Sequence, residues 1–204
     1  MLLVHGAFAD ASLWSAVVAQ LREAGVAVRA AENPLRRLDV DAAHVADAMR
    51  GIVGPVLLAG HGYGGAVITS AATQADNAVG LVYVTGYALD AGESVYDMNR
   101  RFPQTAMPAA LGVDGRGAPL SIDPEAFADA FAADLPAPVA ASMAASQRGI
   151  APEGLTGRVA GAAWRALPSW YLIAADDRLV HPQAQRYMAH RAGAHTSQTA
   201  ARTR

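Results

Sequence analysis

Six residues, Gly60-His61-Gly62-Tyr63-Gly64-Gly65, hold the spacing that could do chemistry in this chain. They follow the apolar run Val56-Leu57-Leu58-Ala59 and lead into Ala66-Val67-Ile68-Thr69-Ser70-Ala71-Ala72, which spells strand, sharp turn and helix. In a nucleophile elbow, a G-x-S-x-G pattern holds a serine in strained backbone at the strand tip, and the flanking glycines let strand and helix approach. Here the outer glycines Gly60 and Gly64 are in place and Gly65 adds room, but the nucleophile position is Gly62. Glycine has no oxygen with which to attack a carbonyl.

The elements that must position this turn alternate along the chain. Met1 to Val4 is a short apolar strand leaving through His5-Gly6-Ala7-Phe8. Leu13, Trp14, Val17, Val18 and Leu21 fall on one helical face, capped by Asp10 or Ser12 and closed by Gly25. Val26 to Ala30 reads as a strand, and Ala42, Val45, Ala46, Met49 and Ile52 as the buried face of a second helix. After the elbow helix come a strand at Val79 to Thr85 and a loop through Asp90 to Ser94. The expected fold is α/β, a mostly parallel sheet with helices on both faces, with its site at the carboxyl ends of strands.

From about 96 to 167 the pattern changes to short helical stretches broken by proline and glycine, such as Pro124 to Ala133 and Ala137 to Ser146. This reads as a helical cap inserted into one domain spanning 1–204, since no linker flanks it. Trp170 to Ala175 resumes the sheet, ending in Asp176-Asp177-Arg178, and Gln183 to Arg191 is a further helix closed by Gly193. One more strand should follow. Ala194 to Arg204 is instead polar and lacks a large aliphatic residue, so the last strand is expected to be missing or degraded. The strand around Leu172 would then offer an unpaired edge for self-association.

Composition narrows the function classes. The 204 residues are 52% hydrophobic, enough for one good core, and a net charge of -2 without a basic run gives no pull toward nucleic acid. No run approaches a membrane span, and no basic segment precedes an apolar one at the start, so a cytoplasmic protein without a membrane partner is expected. Cysteine and lysine are both absent, which removes thiolate nucleophiles, disulfides and lysine Schiff bases. No pair of histidines and carboxylates falls at metal-ligand spacing, and no cofactor is expected.

In order along the chain, His5-Gly6-Ala7-Phe8, the Gly60 to Gly65 elbow, Leu167-Pro168-Ser169-Trp170-Tyr171 and Asp177-Arg178 resemble the α/β-hydrolase superfamily. The likeness is to small bacterial esterase-like members related to plant methyl-ester hydrolases and hydroxynitrile lyases. It implies an oxyanion hole from the backbone N–H groups of Ala7 and Tyr63, with Phe8 and His61 beside the substrate. The resemblance puts the catalytic acid at Asp177, with Asp90 as the substitute. The family histidine lies beyond the last strand, and none of the six histidines stands in a matching motif; His195 is nearest in sequence. His5 and His61 usually serve turn packing.

Loss of the nucleophile costs a serine hydrolase on the order of 10⁶ in turnover, so ordinary ester hydrolysis is expected to be lost or severely impaired. Three readings follow. The chain descends from hydrolases of small esters, amides or lactones and is now a pseudoenzyme; or it binds a small ester, carbonyl or carboxylate ligand without cleaving it; or it is an altered or truncated product without selected activity.

Overall fold

The computed structural model describes residues 1–105, 111–112 and 119–201. Among the described residues, six strands form one parallel sheet. They are β1 (Leu2–Val4), β2 (Arg29–Ala31), β3 (Val56–His61), β4 (Ala78–Val84), β7 (Ser169–Ala174) and β8 (His195–Thr199), ordered β2-β1-β3-β4-β7-β8. Two short strands, β5 (Leu111–Gly112) and β6 (Ser121–Ile122), pair antiparallel outside it. The parallel order follows from the connections, because each described crossover between neighbouring strands carries helix.

Side chains alternate across the sheet. Leu2, Val4, Leu58, Leu81 and Tyr83 enter the main core, whereas Leu3, Ala59, Val82 and Val84 point to the other face. Helices α2 (Leu38–Arg50) and α3 (Tyr63–Ala71) cover the first face. Trp14, at the end of a one-turn 3-10 helix over Ala11–Trp14, and Val18 and Leu21 of α1 (Ser15–Glu23) pack on the second. All of α3 is buried, including Gly64 and Gly65, which is why a run of small residues suits it: the helix lies too close to the strands for larger ones.

Among the described residues, four α-helices lie between β4 and β7: α4 (Val95–Asn99), α5 (Pro124–Phe131), α6 (Ala137–Ser146) and α7 (Pro152–Thr156). The expected helical stretches at Pro124 to Ala133 and Ala137 to Ser146 correspond to α5 and α6. Parts of the 96–167 insertion, at 106–110 and 113–118, lie outside the described residues. After β7 comes α8 (Pro182–Arg191).

The expectation of a missing last strand is corrected. His195–Thr199 pairs in parallel with Trp170 to Ala174 over five residues, and Ala175 N–H donates to Thr199 O at 2.9 Å. Backbone pairing, not apolar alternation, holds it. At a sheet edge both faces of the strand can meet water, so His195, Thr196, Ser197 and Gln198 are exposed and no aliphatic residue is needed. The edge expected at Leu172 is consequently covered, since Leu172 pairs with Ser197. Of the polar tail, residues 202–204 lie outside the described residues.

Candidate functional site

Gly62 stands between β3 and α3 with φ 51° and ψ −120°, in a region that side-chain-bearing residues enter only under strain. Its carbonyl accepts from Gly65 N–H and Tyr87 N–H, both at 3.0 Å. The surrounding glycines are required by contact. A Cβ on Gly60 would sit 2.5 Å from Gly64 O, one on Gly65 2.6 Å from Tyr87 N, and one on Gly64 would collide with the carbonyl of Val4. At Gly62 itself a Cβ would meet nothing within 4 Å. The sequence thus builds a crowded backbone pedestal whose centre faces open space.

The loop leaving β1 closes on this turn. A Cβ on Gly6 would lie 2.7 Å from His61 O and 3.3 Å from Tyr63 N, so the loop backbone rests directly on the start of α3. Buried His5 pins the loop: its Nε2 accepts Asn33 N–H at 3.0 Å, and Asn33 Nδ2 returns a bond to His5 O at 2.9 Å. Burial lowers the His5 pKa, so the ring is neutral. Glu32, 3.9 Å from Nε2, forms no ion pair with a nitrogen that is accepting a hydrogen bond. Phe8 takes φ 63° and donates its N–H to Arg148 O at 3.1 Å. The N–H groups of Ala7 and Tyr63 have no acceptor among the described residues.

Gly6, Ala7, Phe8, His61, Gly62 and Tyr63 together line a cleft of about 40 Å³, with Phe131, Leu155, Leu179 and Val180 opposite. The ring of His61 is buried against Trp14 and Phe131, with centroids 6.5 and 6.2 Å away. Neither ring nitrogen has a hydrogen-bond partner among the described residues. Desolvation, assisted by His5, lowers its pKa to about 4, which makes it a neutral wall of the cleft at ordinary pH.

Asp177 is buried and engaged in a turn. Its Oδ1 accepts Leu179 N–H at 2.8 Å and Val180 N–H at 2.9 Å, and its Oδ2 accepts Gln185 Nε2 at 2.7 Å. It thereby holds Leu179 and Val180 in the cleft wall. Asp90 is held elsewhere: Arg165 Nε donates to it at 2.9 Å and Arg165 Nη2 to its second oxygen, and that bonding lowers its pKa. His195 is exposed and tilted against Trp170, at 5.9 Å. It lies on β8, three strands from β3, about 14 Å away at about 4.8 Å per strand, and level with Ala59 rather than Gly62. The structure does not bring His195 to the elbow.

Two buried groups escaped the sequence reading. Asp41 of α2, fully buried, accepts the Tyr63 hydroxyl at 2.7 Å and Arg36 N–H at 3.1 Å. A signal existed, since Asp41 falls three residues after Leu38 on the apolar stripe of the helix. Gln185 of α8 joins Asp177 to the strand by accepting Ala174 N–H at 3.0 Å. Nothing in its spacing distinguishes it from a surface glutamine.

The model of the alpha/beta hydrolase family matches residues 1–203. No curated protein matches the chain by sequence. Among solved structures, a pyrethroid hydrolase from Sphingobium faniae superposes with a TM-score of 0.75 at 22% identity, covering 98% of this chain and 88% of that one. An extracellular alpha/beta-hydrolase from a Paenibacillus species gives 0.79 at 19% identity, covering 98% and 89%. Polyneuridine aldehyde esterase gives 0.80 at 17%, covering 97% and 89%. At such identities the likeness speaks for the fold alone, and with the family match over nearly every residue it leads to one conclusion: the chain belongs to the alpha/beta hydrolase family.

Proposed function

We propose that this protein is a hydrolase-lineage member that binds a small carbonyl or carboxylate group at the elbow without cleaving it through a serine. The observation that carries the reading is Gly62: its backbone has the elbow conformation, and the space where a nucleophile would project is open. The N–H groups of Ala7 and Tyr63 serve as the oxyanion donors, because both are main-chain groups that a side-chain change leaves intact. Phe8 and His61 wall the bound group, and Phe131 of α5 and Leu155 of α7 close it from above as a cap. The acid position of the lineage falls to Asp177, where the carboxylate now shapes the cleft wall.

Water attack is left without a base in this reading. His61 is the nearest imidazole, and burial keeps it neutral but isolated, with no acid to orient it. Ester turnover is therefore about 10⁶ below that of an intact serine hydrolase. Incubation with a fluorophosphonate probe and with p-nitrophenyl acetate should give no labelling and no turnover above background. Titration with acetate or methyl acetate should shift the amide resonances of Ala7 and Tyr63. Serine-type labelling, or amides that do not respond to either ligand, would overturn the reading.

A further inference from the structure

Asp41 joins three pieces of chain that meet beside the elbow. Its Oδ2 accepts the Tyr63 hydroxyl at 2.7 Å, and both its oxygens lie 3.1 Å from Arg36 N, whose N–H holds the carboxylate in place. The residue before Arg36, Leu35, takes φ 58° and accepts Ala151 N–H at 2.9 Å, which fastens that turn to the start of α7. Gly154 of α7 packs against the same hydroxyl, since a Cβ there would lie 3.4 Å from Tyr63 Oη. One carboxylate thus ties α2 to the first residue of α3, beside the cap helix whose Leu155 walls the cleft.

The peptide between Gly62 and Tyr63 is trans and planar, so the Tyr63 N–H points opposite to the Gly62 carbonyl. Gly65 N–H and Tyr87 N–H hold the carbonyl end of that plane. Its other end is the Tyr63 Cα. On the near side stands a glycine, which restrains its own dihedrals least of all residues. A side chain at position 62 would narrow the backbone choices there. In this chain the Tyr63 side chain supplies the restraint from the opposite end, through a hydrogen bond to a carboxylate, the stronger kind. A donor fixed beforehand binds an acceptor without reorganising first.

We infer that Asp41 is a positioning residue for ligand binding at the elbow: by fastening the Tyr63 hydroxyl it fixes the direction of the Tyr63 N–H, and it acts through Tyr63 without touching the ligand. The inference rests on the role proposed above for that N–H as a ligand donor. Tyr63→Phe tests it, because the ring stays and only the hydroxyl goes. Tyr83→Phe is the control. It removes another buried hydroxyl bonded to α3, 2.8 Å from Thr69 Oγ1 toward the far end of the helix.

Titration with methyl acetate, followed by amide resonances, should give a Kd at least tenfold higher for Tyr63→Phe than for the parent, and within about twofold of the parent for Tyr83→Phe. In the ligand-free proteins, nitrogen-15 relaxation should show the amide at position 63 rigid in the parent and in Tyr83→Phe, with an order parameter of about 0.85, and clearly lower in Tyr63→Phe. Asp41→Ala should reproduce both effects; if it does not fold, Tyr63→Phe decides alone. Equal losses of affinity in the two phenylalanine variants would mean that the hydroxyl serves stability only. That result, or a rigid amide at position 63 in Tyr63→Phe, would overturn the inference. A parent protein that does not bind methyl acetate would overturn the proposed role of the elbow instead, and the order parameter would still decide whether Asp41 fixes the amide.

Discussion

Tyr63 donates its hydroxyl to Asp41 at 2.7 Å inside the core, so the residue that follows Gly62 is fastened through its side chain to the neighbouring helix. Burial raises the Asp41 pKa, although the bonds from Tyr63 and Arg36 oppose this. Tyr63→Phe removes a hydrogen bond to a charged acceptor and should cost about 2 kcal/mol at pH 7 in urea unfolding. Because a raised carboxyl pKa makes the folded state prefer the proton, the penalty from Asp41 is full at neutral pH and is relieved as pH falls through its folded value. The cost of Tyr63→Phe should shrink over the same interval.

Substitutions at the elbow should separate strain from collision. Gly62→Ser meets open space and carries only the backbone cost, about 1–3 kcal/mol, read as a lower melting temperature. It should remain inert toward p-nitrophenyl acetate, since serine without a placed base is a poor nucleophile. Gly64→Ala drives a methyl into the Val4 carbonyl and should abolish the soluble folded protein.

His61 should make the fold acid-sensitive. Its folded pKa, about 4, lies below the ordinary value of 6.5, so the unfolded chain takes up a proton that the folded chain refuses. The stability is fully present above pH 6.5 and is lost as pH falls toward 4, a total on the order of 3 kcal/mol. His61→Leu should flatten that part of the stability profile measured by urea unfolding at pH 7, 5.5 and 4.5. It should cost little at pH 7, because no hydrogen bond to the ring is lost.

Glu93 and Arg191 form the most enclosed ion pair described, with two bonds of 2.8 Å and side chains 11% and 17% exposed. Burial pushes the Glu93 carboxyl up, but the bond from Arg191, the Asp90 N–H and Arg101 outweigh it and hold the pKa below the ordinary range. Glu93→Gln leaves Arg191 charged and half-partnered, which should cost about 3 kcal/mol at pH 7. A depressed carboxylate loses its contribution as pH falls through its folded value, so the gap between variant and parent should narrow only once the pH drops below the ordinary carboxylate range.

The parts of the fold legible in the sequence are those where one short-range rule acts alone. Val56 to Ala59 followed by glycines at 60, 62, 64 and 65 admits little besides strand, turn and buried helix, and that is what forms. The strand His195–Thr199 was illegible because an edge strand is held by backbone bonds that leave no mark on side-chain periodicity. Asp41 and Gln185 are buried polar residues whose partners lie 22 and 8 positions away, and no local pattern encodes such pairs.

The glycine pedestal reverses the usual ranking of importance within an enzyme motif. Its outer members are held by carbonyl and amide atoms that cannot move aside, while a side chain at its centre would start into open space. Over evolutionary time the chain can therefore exchange the chemistry at position 62 in single mutational steps, at a tolerable loss of stability, whereas positions 60, 64 and 65 are frozen. Selection on folding alone would preserve the outline of a catalytic motif long after catalysis had gone, which makes such outlines a record of ancestry rather than of present activity.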